Sequence, residues 1–187
     1  ADLTYTVRFF DPTALSAPSA WAFPEYSDAM ALGLVPESLT DLHQQPISRL
    51  EFCRLAMQVL RSASGLDNEQ LVEHYRLPGP PVTFADCDHA DVLAAAAIGA
   101  VRGMGDGTFN PNGTLTREQA FTLLRRALPQ LNILCADADL SILRSAYNDA
   151  DTIADYAKPH IATLTVQGLV NGTVGAVSPQ GNLTWAQ

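Results

Sequence analysis

Apolar residues recur with helical spacing in several separated stretches of the chain. Phe52, Leu55, Ala56, Val59 and Leu60 fall every three or four positions, as on one face of a helix. Ala120, Phe121, Leu123, Leu124, Ala127 and Leu128 repeat the same pattern, and Pro129 is expected to stop that helix. Ile161, Leu164 and Val166 mark a third helix, with Gly168 as its natural end. Between them the breaker Pro78-Gly79-Pro80-Pro81 closes a linker that runs from about Arg61 to Thr83 and holds a short predicted helix, Asn68 to His74. A second linker, Gln130 to Ala146, contains one expected helical turn or more around Asp139 to Leu143.

These elements belong to a repeat. Ile47-Ser48-Arg49-Leu50-Glu51, Leu115-Thr116-Arg117-Glu118-Gln119 and Leu183-Thr184-Trp185-Ala186-Gln187 share one pattern and stand 68 residues apart. Upstream, Trp21, Cys87 and Tyr156 each precede a glycine (Gly33, Gly99, Gly168) by 12 residues. Further upstream lie Phe9-x-Asp11, Phe84-x-Asp86 and Tyr147-x-Asp149. Three columns in one order predict three copies of a helix-loop-helix unit. The fold class is therefore mainly α, one module over 1–187, with repeats at 9–61, 84–129 and 147–187. The second helix of the last repeat is cut short at Gln187.

The shared motif carries its own chemistry. Ser48, Thr116 and Thr184 sit at N-cap positions, and Glu51, Gln119 and Gln187 stand three residues on. That is a capping box: the hydroxyl accepts from the N3 amide, and the N3 side chain accepts from the N-cap amide. Ile47 and Phe52 are placed to staple the first box. Arg49 and Arg117 fall at N1, where the helix dipole disfavours a cation by about 0.3–1 kcal/mol, so each should have a partner elsewhere: a neighbouring unit or an anionic ligand. In unit two the loop Gly103-Met104-Gly105-Asp106-Gly107-Thr108-Phe109-Asn110-Pro111 is glycine-rich, and Phe109 is expected to plug the core. The loop lacks the spacing of a calcium-binding EF-hand, so no metal is expected there.

Composition narrows the function. The 187 residues are 47% hydrophobic and 17% charged, which suits a packed core, and the net charge of −9 disfavours nucleic acid and anionic membranes. The longest apolar run, Val92 to Val101, is too short to span a bilayer. The chain begins at Ala1 without a leader and reads as a mature or excised segment. Three cysteines, Cys53, Cys87 and Cys135, form no framework and read as buried free thiols. Asp86, Asp88, His89 and Asp91 open a helix, which the dipole favours without a metal. His43, His74 and His160 show no ligand spacing. No phosphate-binding loop or nucleophile elbow is present, so neither an enzyme nor a cofactor is expected.

Trp21-Ala22…Gly33-Leu34-Val35, Gly105-Asp106-Gly107-Thr108-Phe109-Asn110-Pro111 and Leu115-Thr116-Arg117-Glu118-Gln119 resemble the S-layer homology domain. The resemblance implies a pseudo-threefold array of three repeats around a central three-helix bundle, with grooves between units. It further implies a non-catalytic, secreted cell-surface anchor in a Gram-positive-type envelope. The partner it implies is an anionic, often pyruvylated secondary cell-wall polysaccharide. Carried onto this chain, the ligand set is Arg117, Asp106, Gly105 and Gly107, with Tyr156 stacking on a sugar face. Arg49 and Trp21 are the equivalents in unit one. Trp185 replaces the arginine of unit three and Cys87 the aromatic of unit two, so the working groove is expected between units two and three. Tyr156 and Trp21 could equally be core aromatics, and a degenerate module could instead be a scaffold that binds other surface proteins.

Overall fold

A computed structural model describes residues 22–35, 45–131, 133 and 135–184. Among these residues the protein is helical, without a strand: α1 (Phe23–Ala31), α2 (Arg49–Ser64), α3 (Asn68–Tyr75), α4 (Ala90–Ala97), α5 (Arg117–Ala127), α6 (Ser141–Ala146) and α7 (Lys158–Val166). Both described capping boxes form. Ser48 accepts from the Glu51 amide at 3.2 Å, and a Glu51 carboxylate oxygen accepts from the Ser48 amide at 3.0 Å. Thr116 and Gln119 make the same exchange before α5. The first helix of each unit ends on the predicted glycine, with φ of 67° at Gly33, 79° at Gly99 and 69° at Gly168. An L-residue there would meet its own backbone.

Three details differ from expectation. α3 runs one residue further, to Tyr75. The helical segment expected around 139–143 is α6, which starts at Ser141 and runs on to Ala146. α5 ends at Ala127, before Pro129 as expected, but Leu128–Leu131 then continues as a 3-10 turn. Proline is tolerated there because a helical first turn does not need its missing N–H.

The units close on one another through backbone bonds. Ile47 N–H donates to Leu183 O at 3.0 Å, Leu183 N–H to Leu115 O at 2.8 Å, and Leu115 N–H to Ile47 O at 3.3 Å. This three-membered ring joins the residue just before each N-cap, and it is the centre of the pseudo-threefold arrangement. The bridges Ser48–Thr114, Thr116–Asn182 and Pro46–Thr184 flank it in the same cyclic order. α2 and α5 pack against each other beside it. The third central helix, expected to open after Thr184, lies outside the described residues.

The outer helices follow the same rule. α4 of unit two packs on α2 of unit one, and α7 of unit three packs on α5 of unit two. Two apolar clusters result. Ile47, Met57, Leu60, Val92, Ile98, Phe109 and Leu115 form the first. Ile153, Ile161, Leu164, Val170 and Val177, with Leu128, form the second. Phe109 is 1% exposed and so plugs the core as expected, its ring 5.4 Å from that of Phe84.

One loop carries strain. Thr173 and Ala176 exchange backbone bonds of 2.8 and 3.0 Å around Val174 and Gly175, whose φ values are 52° and 74°. Positive φ at both central residues suits Asn-Gly and penalises a β-branched side chain. Val174 is 94% exposed, so its side chain has little packing to lose. Val174→Asn should therefore stabilise the protein by about 1 kcal/mol and raise Tm by about 2–4 °C in a calorimetric scan. An unchanged or lower Tm would show that the turn is not strained.

Candidate functional site

The N1 arginines reach across to the next unit. Arg49 Nε donates to Phe109 O and Arg117 Nε donates to Val177 O, each at 2.8 Å. The amides around them do likewise: Arg49 N–H binds Gly113 O and Leu50 N–H binds Pro111 O, while Arg117 N–H binds Gly181 O and Glu118 N–H binds Pro179 O. The open N–H groups of each central helix are thus satisfied by carbonyls of the following loop. This explains a cation at a position the dipole disfavours. Both arginines also lie over rings, with Cζ of Arg49 4.8 Å from the Phe109 centroid and Cζ of Arg117 5.2 Å from that of Phe121.

The loops are held from the other side by the opening aspartates. Asp86 accepts from the Phe109 and Asn110 amides at 2.7 and 2.8 Å, and Asp149 from the Val177 and Ser178 amides at 2.9 and 2.7 Å. The Phe109 bond above all holds the Asp86 carboxyl below the usual aspartate range. Asn110 and Ser178 sit at φ 58° and 51°, the left-handed corner each loop needs. Asp91 and His89 of the same stretch are structural too. Asp91 pairs with Arg61 at 2.6 Å, and His89 Nδ1 accepts from the Asp91 amide at 3.2 Å. Among the described residues no cluster of His, Cys, Asp and Glu could hold a metal. All three cysteines are free thiols, but only Cys53 is buried; burial pushes its thiol up to about 12.

The ligand set expected from the sequence separates. Asp106 turns onto its own loop, accepting from the Thr108 amide at 3.0 Å and the Thr108 hydroxyl at 2.6 Å. Gly105 and Gly107 stand at φ 99° and 88° with open space where a Cβ would be. Arg117 is spent on the unit-three loop, and its charge acts on Tyr147 and Asp149. Tyr156 stands with Arg49 and Arg126 instead. Trp21 lies outside the described residues.

Tyr156 is 48% exposed, yet its hydroxyl is fixed. It donates to Glu118 Oε1 at 3.1 Å, and burial followed by the Glu118 charge pushes the phenol up to about 12. Glu118 is 4% exposed and does three things at once. Besides Tyr156 it accepts from the Ala154 amide at 3.0 Å and from Gln180 Nε2 at 2.9 Å. Arg49, 7% exposed, adds a bond from Nη2 to Arg102 O at 3.0 Å. Burial lowers its affinity for a proton, while Asp86 and Tyr156 among others partly restore it. The result is a surface to which all three units contribute: a buried arginine from unit one, Glu118 and a loop from unit two, and a half-exposed aromatic face from unit three.

Sequence reading missed Glu118, Arg102 and Arg126. Glu118 had a sufficient local explanation, since a carboxylate in the first helical turn is favoured anyway. An open groove of about 980 Å³ lies elsewhere. It is lined by α3, α4 and the 76–83 linker, including Val72, Leu77, Pro81 and Leu93, and contains none of the expected ligand residues.

Comparisons with known proteins agree with this architecture. The family model for the S-layer homology domain matches residues 88–121 and 146–187. The chain is similar to an amylopullulanase of Thermoanaerobacterium thermosulfurigenes, 25% identical over 187 residues, covering 98% of this chain and 9% of that protein. It is also similar to the exoglucanase XynX of Acetivibrio thermocellus, 26% identical over 176 residues, covering 89% of this chain and 14% of that protein. The chain thus spans a small fraction of the curated relatives it matches. The two matched segments cover most of units two and three, and the first unit is tied to both by the same backbone ring.

Proposed function

We propose that this chain is a non-catalytic module that anchors a larger secreted protein to the cell surface by binding an anionic, pyruvylated cell-wall polysaccharide. The observation that carries the reading is the half-exposed Tyr156 ring, held by Glu118 and set beside the Arg49 and Arg126 charges. A sugar ring stacks on an aromatic face whose edge is fixed, and a carboxylate is drawn to arginine in a half-desolvated groove. Local cations are needed because the whole chain is net negative by 9. The groove runs between units two and three, with Tyr156 as its platform and Arg126 as the cation beside it. Both relatives are named for polysaccharide-degrading activities, and the chain covers little of either, so an anchor attached to a catalytic body is the natural relation. Among the described residues no helix is long and apolar enough to cross a membrane, and attachment through a wall polymer requires none.

The test is sedimentation of the module with purified cell walls stripped of protein. Wild-type protein should pellet with walls that retain their acidic polysaccharide and stay soluble with walls from which it has been extracted. Tyr156→Ala should weaken binding about tenfold, as expected when a stacking platform is lost. Equal recovery with both wall preparations, or with neither, sinks the anchoring reading. A module that ignores walls but retains another surface protein would be a scaffold instead.

A further inference from the structure

Asparagine followed by glycine is a reactive pair, because a residue without a side chain lets its amide nitrogen reach the preceding carboxamide. The chain holds two such pairs, Asn112-Gly113 and Asn171-Gly172. Both asparagines are exposed, so exposure does not separate them. Their glycine nitrogens differ. Gly113 N–H donates to Asn110 O at 3.1 Å, and Gly113 O accepts from the Arg49 amide at 2.9 Å. Among the described residues Gly172 N–H donates no hydrogen bond and the Asn171 carboxamide makes none. The glycine itself is imposed by packing: a Cβ at Gly172 would lie 2.7 Å from Ala176 O and 2.9 Å from the Tyr147 ring. Gly103 has the same role in unit two, where a Cβ would lie 2.6 Å from Thr108 O. Arg102 precedes it, so the fold does not call for asparagine at that position.

We propose that Asn171 is a site of spontaneous deamidation that loosens the third unit as the protein ages. The Gly172 nitrogen attacks Asn171 Cγ; a Cγ–N bond forms, the Cγ–Nδ2 bond breaks, and ammonia leaves with the proton that the nitrogen gave up. Water then opens the cyclic imide at either carbonyl. Opening at Cγ leaves an aspartate in an ordinary backbone. Opening at the main-chain carbonyl leaves an isoaspartate, whose side-chain methylene has entered the backbone. The neighbours make that product costly. Val170 and Gly172 are both fastened to Tyr147: its hydroxyl donates to Val170 O at 3.1 Å, and its ring lies against Gly172. Thr173 then pairs with Ala176. A backbone one atom longer between Val170 and Thr173 cannot keep all three contacts, and Tyr147 and Val170 both belong to the apolar cluster of unit three. The loop that follows carries Val177 O, the acceptor of Arg117, so the longer segment also slackens the closure of unit three on α5.

The experiment is incubation of the folded chain at mildly alkaline pH and physiological temperature, followed by peptide mapping with mass spectrometry and separation of aspartyl from isoaspartyl peptides. The Asn171 peptide should convert from amide to acid about tenfold faster than the Asn112 peptide, the factor that one hydrogen bond to be broken first makes in a rate. In concentrated urea the two pairs should react at similar rates, because the difference lies in the fold. Isoaspartyl protein, separated from fresh protein by ion exchange, should show a Tm about 2–4 °C lower, the shift for one lost hydrogen bond in a chain of this size. Asn171→Gln, incubated in parallel, should keep its Tm. Folded-state rates that are equal at the two pairs, or faster at Asn112, overturn the proposal. Isoaspartyl protein that melts together with fresh protein overturns the loosening of unit three. Neither result depends on what the module binds.

Discussion

Arg49→Ala is expected to lower the stability of the module by about 3 kcal/mol, the sum of one or two charge-assisted bonds and a ring contact. The variant removes the donors to Phe109 O and Arg102 O and leaves both carbonyls in a site where Arg49 itself is 7% exposed. It also empties the space over the Phe109 ring. Arg117→Ala should cost less, because its side chain makes one such bond, to Val177 O. The comparison is made by urea unfolding of the two variants and the wild type. Arg49→Lys separates charge from geometry. Lysine keeps the cation but cannot present two donors in a fork, so most of the loss should persist. Equal stabilities for the wild type and Arg49→Ala would mean that the bonds between units contribute nothing net. Because Arg49 also faces Tyr156, wall binding should fall further than unfolding alone explains, and this is read on protein that is still folded.

The second large effect is expected at Glu118. Glu118→Ala leaves the Ala154 amide without its acceptor and frees both Tyr156 and Gln180. A buried donor left unmade costs about 1–3 kcal/mol, and the ring loses its fixed orientation as well. Glu118→Gln keeps the shape and one acceptor oxygen, so its cost should be smaller. The two variants differ from wild type in a second, independent readout. The Glu118 charge is the cause that follows burial in pushing the Tyr156 phenol up to about 12. Removing that charge should let Tyr156 ionise at lower pH, seen in the tyrosinate absorbance as pH is raised, with Tyr156→Phe identifying the signal. The sign for stability is the same. A phenol raised in the folded state contributes stability that is complete below the ordinary tyrosine range and lost as pH climbs toward about 12. A tyrosinate titration unchanged in Glu118→Gln would show that the Glu118 charge does not act on the phenol.

Much of this architecture can be read from local chemistry. Ser48 with Glu51, and Thr116 with Gln119, are boxes that need only neighbouring atoms, so their spacing names the helix starts. Gly99 and Gly168 mark helix ends for the same reason. Repetition then supplies the symmetry, because equal units meet through equal surfaces. The site is less legible because its residues meet across units. The helix dipole shows that Arg49 and Arg117 must have partners, but nothing local says whether the partner is a loop carbonyl or a ligand. The structure assigns a carbonyl to each. Asp106 is a further case: the resemblance implied a ligand contact, and Thr108, near in sequence, gives its carboxylate local partners as well. Glu118 and Arg126 carry no signal of their own, since an acid at the start and a base at the end of α5 are what any helix prefers.

The closed circle of Ile47, Leu115 and Leu183 has a kinetic consequence. Its last link joins segments from opposite ends of the described chain, so a polypeptide threaded out N-terminus first cannot complete the circle until the final segment arrives. Until then Ile47 lacks its acceptor and part of the apolar centre is open to water. Until that segment is in place the chain is exposed to proteases and to unwanted pairing, and it gains its protection in one late step.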